Sequence, residues 1–368
     1  MPIKPVSSPR DRRRFVALPH RLHRQVPQWV PPLRMTEKRL FNRRHPNYRH
    51  SEAAFFLYEE AGAVTGRVGV QENTVFNEVR GSRWGFFHLF EAADDAAAGA
   101  LLAAAEDWAR GRGLDRLVGP LGFIPGEAMG VLVEGFEHPS SMSIPWHPPG
   151  YSKMIEAAGY AKETDFRSGV IEQPFQVPEA LFEMGDAAVA EHGYRVKTFD
   201  SRRELERWVH HIGEVYNAAF RDNWEYRPIS RAEMDEVATQ FMPIAIPRLI
   251  VLLMHGDDIV GFLFILPEVR QGLKKAGGRL LPIGWWHILR AKRTTTVVAM
   301  LGMGVVPGFQ GAGANAAIYA RVARAAADSP YVAAELVQVE EGNVRMNRNL
   351  EAFGVDWRKR HRVYGKAL

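Results

Sequence analysis

Two stretches of this chain pass through the same order of elements, and that repetition limits the possible folds more than any single residue does. In the first, a short helix over residues 15–25 precedes the strand-like runs AAFFLYEE and VTGRVGVQ, which flank an Ala61-Gly62 turn, and the aromatic strand WGFFHLFE. Asp94 and Asp95 then read as the cap of an Ala-rich helix with Leu101, Leu102, Ala105 and Trp108 on one face. RLVGPLGF supplies a strand, residues 151–158 a helix stopped by Gly159, and DFRSGVI a last strand before a Pro-flanked linker at 174–178. The second stretch begins with helices over 203–220 and 230–241. It continues with the hairpin RLIVLLMHGDDIVGFLFIL turning at 255–258, the strand VVAMLGMGVV, a helix over 314–327, the strand AAELVQV, a helix over 344–353 ended by Gly354, and the strand HRVYG. Strands alternating with helices in both halves predict an α/β (α+β) fold, two tandem domains over residues 1–175 and 176–368, each a mixed sheet flanked by helices. The 368 residues suffice for two such cores.

Charge is unevenly spread. The first fifty residues hold 13 Lys and Arg against Asp11 and Glu37 alone, while the rest hold 34 basic against 40 acidic residues. A basic front segment can meet a nucleic acid or an anionic membrane, or can form a solvated face. No zinc-finger or RNA-recognition motif accompanies it, so no nucleic-acid partner is expected. Because the chain has no cysteine, disulfides, thiolate metal sites and cysteine nucleophiles are excluded. No metal site is expected. Without a run of about 20 apolar residues to span a bilayer, the expected location is cytoplasmic or peripheral at the inner membrane surface.

The segment Val305, Val306, Pro307, Gly308, Phe309, Gln310, Gly311, Ala312, Gly313 runs from a buried strand into a helix. Small residues there let backbone N–H groups approach an anion, and the helix N-terminus adds positive partial charge. Val305, Gln310, Gly311, Ala312, Gly313, Ala314 and Asn315 thus form a candidate pyrophosphate cradle, although a purely structural turn would use the same residues. Further on, Asn343 is a good helix N-cap and Gly354 a good stop, which a merely well-capped helix would also show.

The first of these segments resembles the acyl-CoA-binding signature of the GNAT family of N-acetyltransferases, in which Arg or Gln is followed after two residues by Gly and, one residue later, by Gly or Ala. Gln310 and Gly313 match, and Asn315 puts a larger side chain in the last position. The block from Asn343 to Gly354 is similar to the family's closing segment, where an Asn opens a helix beneath the pantetheine. Seven residues on, many members place a Tyr that protonates the departing thiolate; here that residue is Leu350. The resemblance implies a tandem GNAT-like fold and a thioester donor, acyl-CoA or an acyl carrier protein. It further implies that the strand ending near Val305 bonds the pantetheine through its main chain while its neighbour splays away. Residues 10–172 resemble the same fold without the cradle, since Glu91, Asp94 and Asp95 stand where a pyrophosphate would sit. Like charges repel, so the donor is expected in the second half only.

Acyl transfer to an amine needs a base, a donor for the developing oxyanion and a proton for the thiolate. The loop Asn223-Trp224-Glu225-Tyr226 lies where family members contact the acceptor, which makes Glu225 the candidate base and Tyr226 the candidate acid, either of which could also be a solvated loop residue. Glu340, Glu341 and Tyr364 are rivals. Between Arg270 and Arg293, seven Lys or Arg and no acid enclose the apolar run 280–289. That run is too short to span a bilayer but has the composition of an interfacial segment. Trp285, Trp286, Ile288 and Leu289 would enter the interface and Arg279, Arg290, Lys292 and Arg293 would meet headgroups, unless the insertion simply packs on its own domain. Together with the tandem layout, this is similar to bacterial proteins that attach fatty acyl chains to long-chain amines, including bacterial ceramide synthases. The expectation is an N-acyltransferase for an amine acceptor, possible lipid included; a non-catalytic acyl-CoA sensor and a nucleic-acid binder are the alternatives.

Overall fold

The computed structural model describes residues 2–124, 127, 129–142, 144–224 and 226–368. In the first half β1 (Ile3–Pro5) precedes α1 (Pro9–Leu22) and α2 (Arg34–Arg39). Then come β2 (Ser51–Glu60), β3 (Ala63–Asn73), α3 (Thr74–Arg80), β4 (Trp84–Ala92), α4 (Asp95–Arg110), β5 (Arg116–Gly119), β6 (Val131–Glu134), α5 (Tyr151–Ala157) and β7 (Ala161–Glu172). The second half runs α6 (Glu179–His192), β8 (Tyr194–Lys197), α7 (Arg202–Ala219), α8 (Arg231–Phe241), β9 (Ile250–His255) and β10 (Asp258–Pro267). It ends with α9 (Arg270–Ala276), α10 (Gly284–Thr294), β11 (Val297–Val305), α11 (Ala314–Ala327), β12 (Ala333–Glu340), α12 (Val344–Ala352) and β13 (Asp356–Ala367).

Local chemistry explains most of these boundaries. Ala61 and Gly62 both take positive φ, 47° and 80°, so a two-residue turn closes the first hairpin with the twist its strands require. Asp94 caps α4 by accepting from the Ala97 N–H at 2.8 Å. Helix α1 starts at Pro9, earlier than residue 15, because Ser8 and Asp11 form a reciprocal capping box and Pro9 needs no N–H partner at the first helical position.

Among the described residues thirteen strands form one sheet, in the order β1-β2-β3-β4-β5-β13-β7-β12-β11-β10-β9-β8, with β6 pairing β13 off this path. The last strands of the two halves are exchanged. β13 lies between β5 and β7, with Tyr364 opposite Gly119 and His361 opposite Phe166. β7 in turn pairs with β12, Gly169 opposite Leu336. Each half's sheet is therefore completed by the other half's final strand. Helix α4 buries Leu101, Leu102 and Ala105 against Val68, Phe87 and Leu117, and Tyr364 of β13 joins that core. In the second half α7 covers one sheet face with Leu205, Val209 and Ile212, and α11 covers the other with Ala317 and Ile318.

Candidate active site

The parallel pairing of β11 with β12 runs from Val297↔Ala333 to Met300↔Leu336 and stops, although β11 continues to Val305 and β12 to Glu340. The two strands part because each is bent locally. In β11, Gly302 faces Phe264 and Met300 faces Ile265, which leaves Leu301 as a bulge. In β12, Gln338 has φ of +36°, unusual for a residue with a side chain. Its Oε1 accepts from Met129 N at 2.8 Å and its Nε2 donates to Met129 O, so a loop of the first half holds the bend in place. Between the parted strands opens a cavity of about 660 Å³, walled largely by apolar side chains such as Val209, Phe220, Phe262, Met300 and Met303.

The glycine turn stands at the edge of this opening. Gly313, φ +70°, is the N-cap of α11, and among the described residues no side chain caps that helix. Its first N–H groups are left for an external acceptor, with the positive end of the helix dipole behind them. The corresponding end of α4 differs, since the Asp94 carboxylate already occupies it. Gly311, φ +86°, faces open space, whereas a Cβ on Gly313 would lie 2.5 Å from Ala188 Cβ. Gln310 lines the cavity and donates from Nε2 to Val305 O at 3.1 Å. Val305 is buried opposite Gly261, Ala314 is buried, and Ala312 and Asn315 are half-buried. Asn343 caps α12 by accepting from Met346 N at 3.1 Å, and with Leu350 it borders the same cavity.

Among the described residues, the corresponding place in the first half is filled. Beyond the paired segment of β4 and β5, Phe123 is buried against the rings of His45, Tyr48 and His88. Burial pushes His88 down to about 3, so it packs there as a neutral ring. Glu91 is also buried, accepting from the Tyr151 hydroxyl at 2.9 Å and facing His23 Nε2 at 2.8 Å. It is therefore a core carboxylate and does not guard a phosphate position.

Where the halves meet, the cavity wall turns polar. Arg227 donates to Glu233 at 2.9 Å and to Asn47 Oδ1 at 3.1 Å, and His50 Nε2 lies 3.2 Å from the same Glu233 oxygen. Arg227, Gln71, Asn73 and Glu127 all border the cavity. Of the sequence's catalytic candidates, Glu225 lies outside the described residues. Tyr226 is buried, its hydroxyl pushed up by burial, but the cavity-lining residues beside it are Trp224 and Arg227. Glu340 borders the cavity and accepts from Thr164 at 3.0 Å, Glu341 pairs with Lys162 at 2.7 Å, and Tyr364 is a core residue donating to Glu156 at 2.9 Å. Tyr319, on the buried face of α11, was not anticipated: it borders the cavity and its hydroxyl, held protonated by burial, lies 3.3 Å from Met346 Sδ. In sequence it is one more apolar position of an amphipathic helix, and only the opening beside β11 gives it a different setting.

The insertion forms α9 and α10. Ile288 and Ala291 pack into the second-half core, so Ile288 is no part of an outward face. Lys292 is likewise committed, donating to Ala245 O at 2.8 Å. What faces outward is Leu281, Ile283, Trp285 and Trp286, at 77, 60, 49 and 47% exposure. Arg290 stacks over Trp286 at 5.5 Å, and Lys275, Arg279 and Arg293 stand exposed around the patch. Among the described residues no helix is long and apolar enough to cross a membrane.

No family model matches the sequence. Over 99% of its length the chain is 31% identical to the bacterial ceramide synthase of Caulobacter vibrioides, covering 97% of that protein. Over 97% of its length it is 26% identical to protein YghO of Escherichia coli, covering 93% of it. Among solved structures, a tandem GNAT protein from the clavulanic acid biosynthesis pathway matches 99% of this chain and 98% of its own, with a TM-score of 0.55 at 12% identity. That last similarity concerns the fold alone.

Proposed function

Because the chain belongs to the family of the bacterial ceramide synthase, a family of acyltransferases with the tandem GNAT fold, we propose that it moves an acyl group from a coenzyme A or acyl-carrier-protein thioester to the amine of a long-chain lipid. The observation that carries this reading is the succession of three features: a strand edge freed beyond Met300, an apolar cavity bordered by that strand and by Gln310, and, three residues past Gln310, a helix N-terminus with no side-chain cap among the described residues. In this reading the pyrophosphate rests on the N–H groups of 311–315, the pantetheine follows β11 toward Met303, and a backbone N–H between Met303 and Val305 polarises the thioester carbonyl. The chamber's 660 Å³ suits a chain rather than an acetyl group. At about 30 Å³ for each water-sized group it has room for roughly twenty methylenes. Glu225 and Tyr226 are the sequence's candidates for base and acid, and Leu350 leaves the proton for the thiolate to another group. The outward apolar patch on α10, ringed by cations, gives the protein a peripheral contact with the anionic surface from which a lipid amine would be drawn.

The test is a transfer assay. Purified protein with palmitoyl-CoA and a long-chain primary amine should release free thiol and form the amide in equal amounts. Binding of palmitoyl-CoA without amide formation with any amine would make the chain a thioester sensor and contradict the proposal.

A further inference from the structure

Within the cavity wall, a half-buried carboxylate of the first half has no counter-ion and a buried amide has an unused N–H, among the described residues. Glu127 borders the cavity, and its Oε2 accepts from Phe123 N at 2.7 Å and Ile124 N at 3.3 Å. Among the described residues no cation pairs with it. The positive group nearest in charge effect, Arg227, is committed to Glu233 and Asn47. Arg67, similarly, is committed to Glu37 at 2.8 Å. Glu127 is half-buried, and a carboxylate drawn partly out of water without a cation is disfavoured. Burial accordingly pushes the Glu127 carboxyl up, against the two backbone N–H bonds and Arg227, which pull it down. Asn73 is 1% exposed and also borders the cavity. Its Oδ1 caps α3 by accepting from Phe76 N at 2.9 Å, which fixes the amide and leaves Nδ2 without a partner among the described residues. An unpaired buried donor is destabilising. Glu127 holds the amides of Phe123 and Ile124, and Gln71, two residues before Asn73 on β3, bonds the Phe123 carbonyl together with Arg227.

We infer that Glu127 and Asn73 form the head-group subsite of the acceptor, with Glu127 pairing with the substrate's ammonium and Asn73 Nδ2 donating to an oxygen beside it. This rests on the amine-acyltransferase reading above and gives the first half, which has no cradle, the acceptor to hold. An alkylammonium supplies the cation that Glu127 lacks, in a cavity whose apolar walls receive the chain. The chemistry then balances. The Glu127 carboxylate takes one proton from the ammonium, and the neutral nitrogen attacks the thioester carbonyl, forming the C–N bond. As the C–S bond breaks, the second proton leaves the nitrogen for the thiolate. Amide and thiol depart, and Glu127 returns its proton to solvent. Binding weakens with acid as Glu127 is protonated; the other charged groups on this side of the site are Arg227 and His50, both against Glu233, and Arg67, paired with Glu37.

Calorimetry on the full chain tests this without requiring turnover. Glu127→Gln keeps a carbonyl oxygen for Phe123 N. It should bind decylamine at least tenfold more weakly than the wild type, lose the acid limb of that binding, and bind decanol and CoA as the wild type does. Wild-type protein should prefer 1-amino-2-decanol to decylamine, and Asn73→Ser, which can still cap α3, should abolish the preference. Decylamine affinity within twofold of wild type would overturn the inference, as would an equal loss for decanol, which would mark a collapsed 121–124 segment. Absence of the preference in the wild type would remove Asn73 from the subsite. Tight, Glu127-dependent amine binding with no amide formed would instead contradict the acyl-transfer reading and leave the subsite standing.

Discussion

Two demands meet at Gly313. Its φ of +70° is one that residues with a Cβ adopt at a cost, and a Cβ there would press into Ala188 of α6. Gly313→Ala should therefore destabilise the protein by about 1–3 kcal/mol, whatever the site binds. Asn315, two positions into α11, separates binding from packing. A glutamate in the first turn favours the helix, so Asn315→Glu should leave the melting temperature unchanged or raised while weakening CoA binding at least tenfold by repelling the pyrophosphate. Thermal-shift titration with CoA reads both, and undiminished stabilisation of the variant by CoA would remove the cradle from 311–315. Gln310, Gly313 and Asn343 could be found from sequence because a turn and a cap need particular residues at fixed spacing. Asn73, Glu127 and Tyr319 could not. Their meaning lies in what surrounds them: a missing counter-ion, an unused N–H, an opening beside a helix, all produced by residues distant in the chain.

On the scale of elements, α10 has two unlike faces. Its inner face is structural, and Ile288→Ala should cost about 2–5 kcal/mol by leaving a cavity in the second-half core. The outer face is exposed, and the proposed function has it meet a membrane. Changing Trp285 and Trp286 together to Ser should reduce co-sedimentation with anionic liposomes by roughly tenfold or more, with CoA binding and melting temperature kept. Loss of thermal stability with no liposome effect would make the pair ordinary packing. Composition marked the apolar run 280–289 but not which residues faced out, because Trp285 and Ile288 lie within one turn of α10. Long elements with a strong period or a clear cap, such as α4, α8, α11 and the two hairpins, were legible for the same reason that they are stable. The three-residue β1 and four-residue β8 offer too few positions for a pattern. Helix α6 meets α11 through Gly185 and Ala188, so its contact face carries little of the hydrophobic signal that marks a helix.

For the whole molecule, the exchange of β7 and β13 decides where the chemistry can sit. With each half closed by the other's last strand, the sheet is continuous and the first-half loop at Met129 reaches the bend of β12. The cavity is consequently walled by both halves, by residues of β11, α11 and α12 from the second and by β3 with Leu121, Gly122, Ile124, Glu127 and Met129 from the first. The repeated order of elements indicated two similar domains, but a strand's own sequence does not name its neighbour: DFRSGVI and HRVYG are as suited to one sheet edge as to the other. The central claim, that the second half holds the thioester and the first half faces it across one cavity, is tested most directly by a crystal structure with a non-hydrolysable thioether analogue of palmitoyl-CoA. The pyrophosphate should lie on the N–H groups of 311–315, the pantetheine along β11 beyond Met300, and the acyl chain or its carbonyl end within the shared cavity beside Met303. Density for the analogue at the N-terminus of α4, or with its pantetheine away from the gap between β11 and β12, would contradict the account.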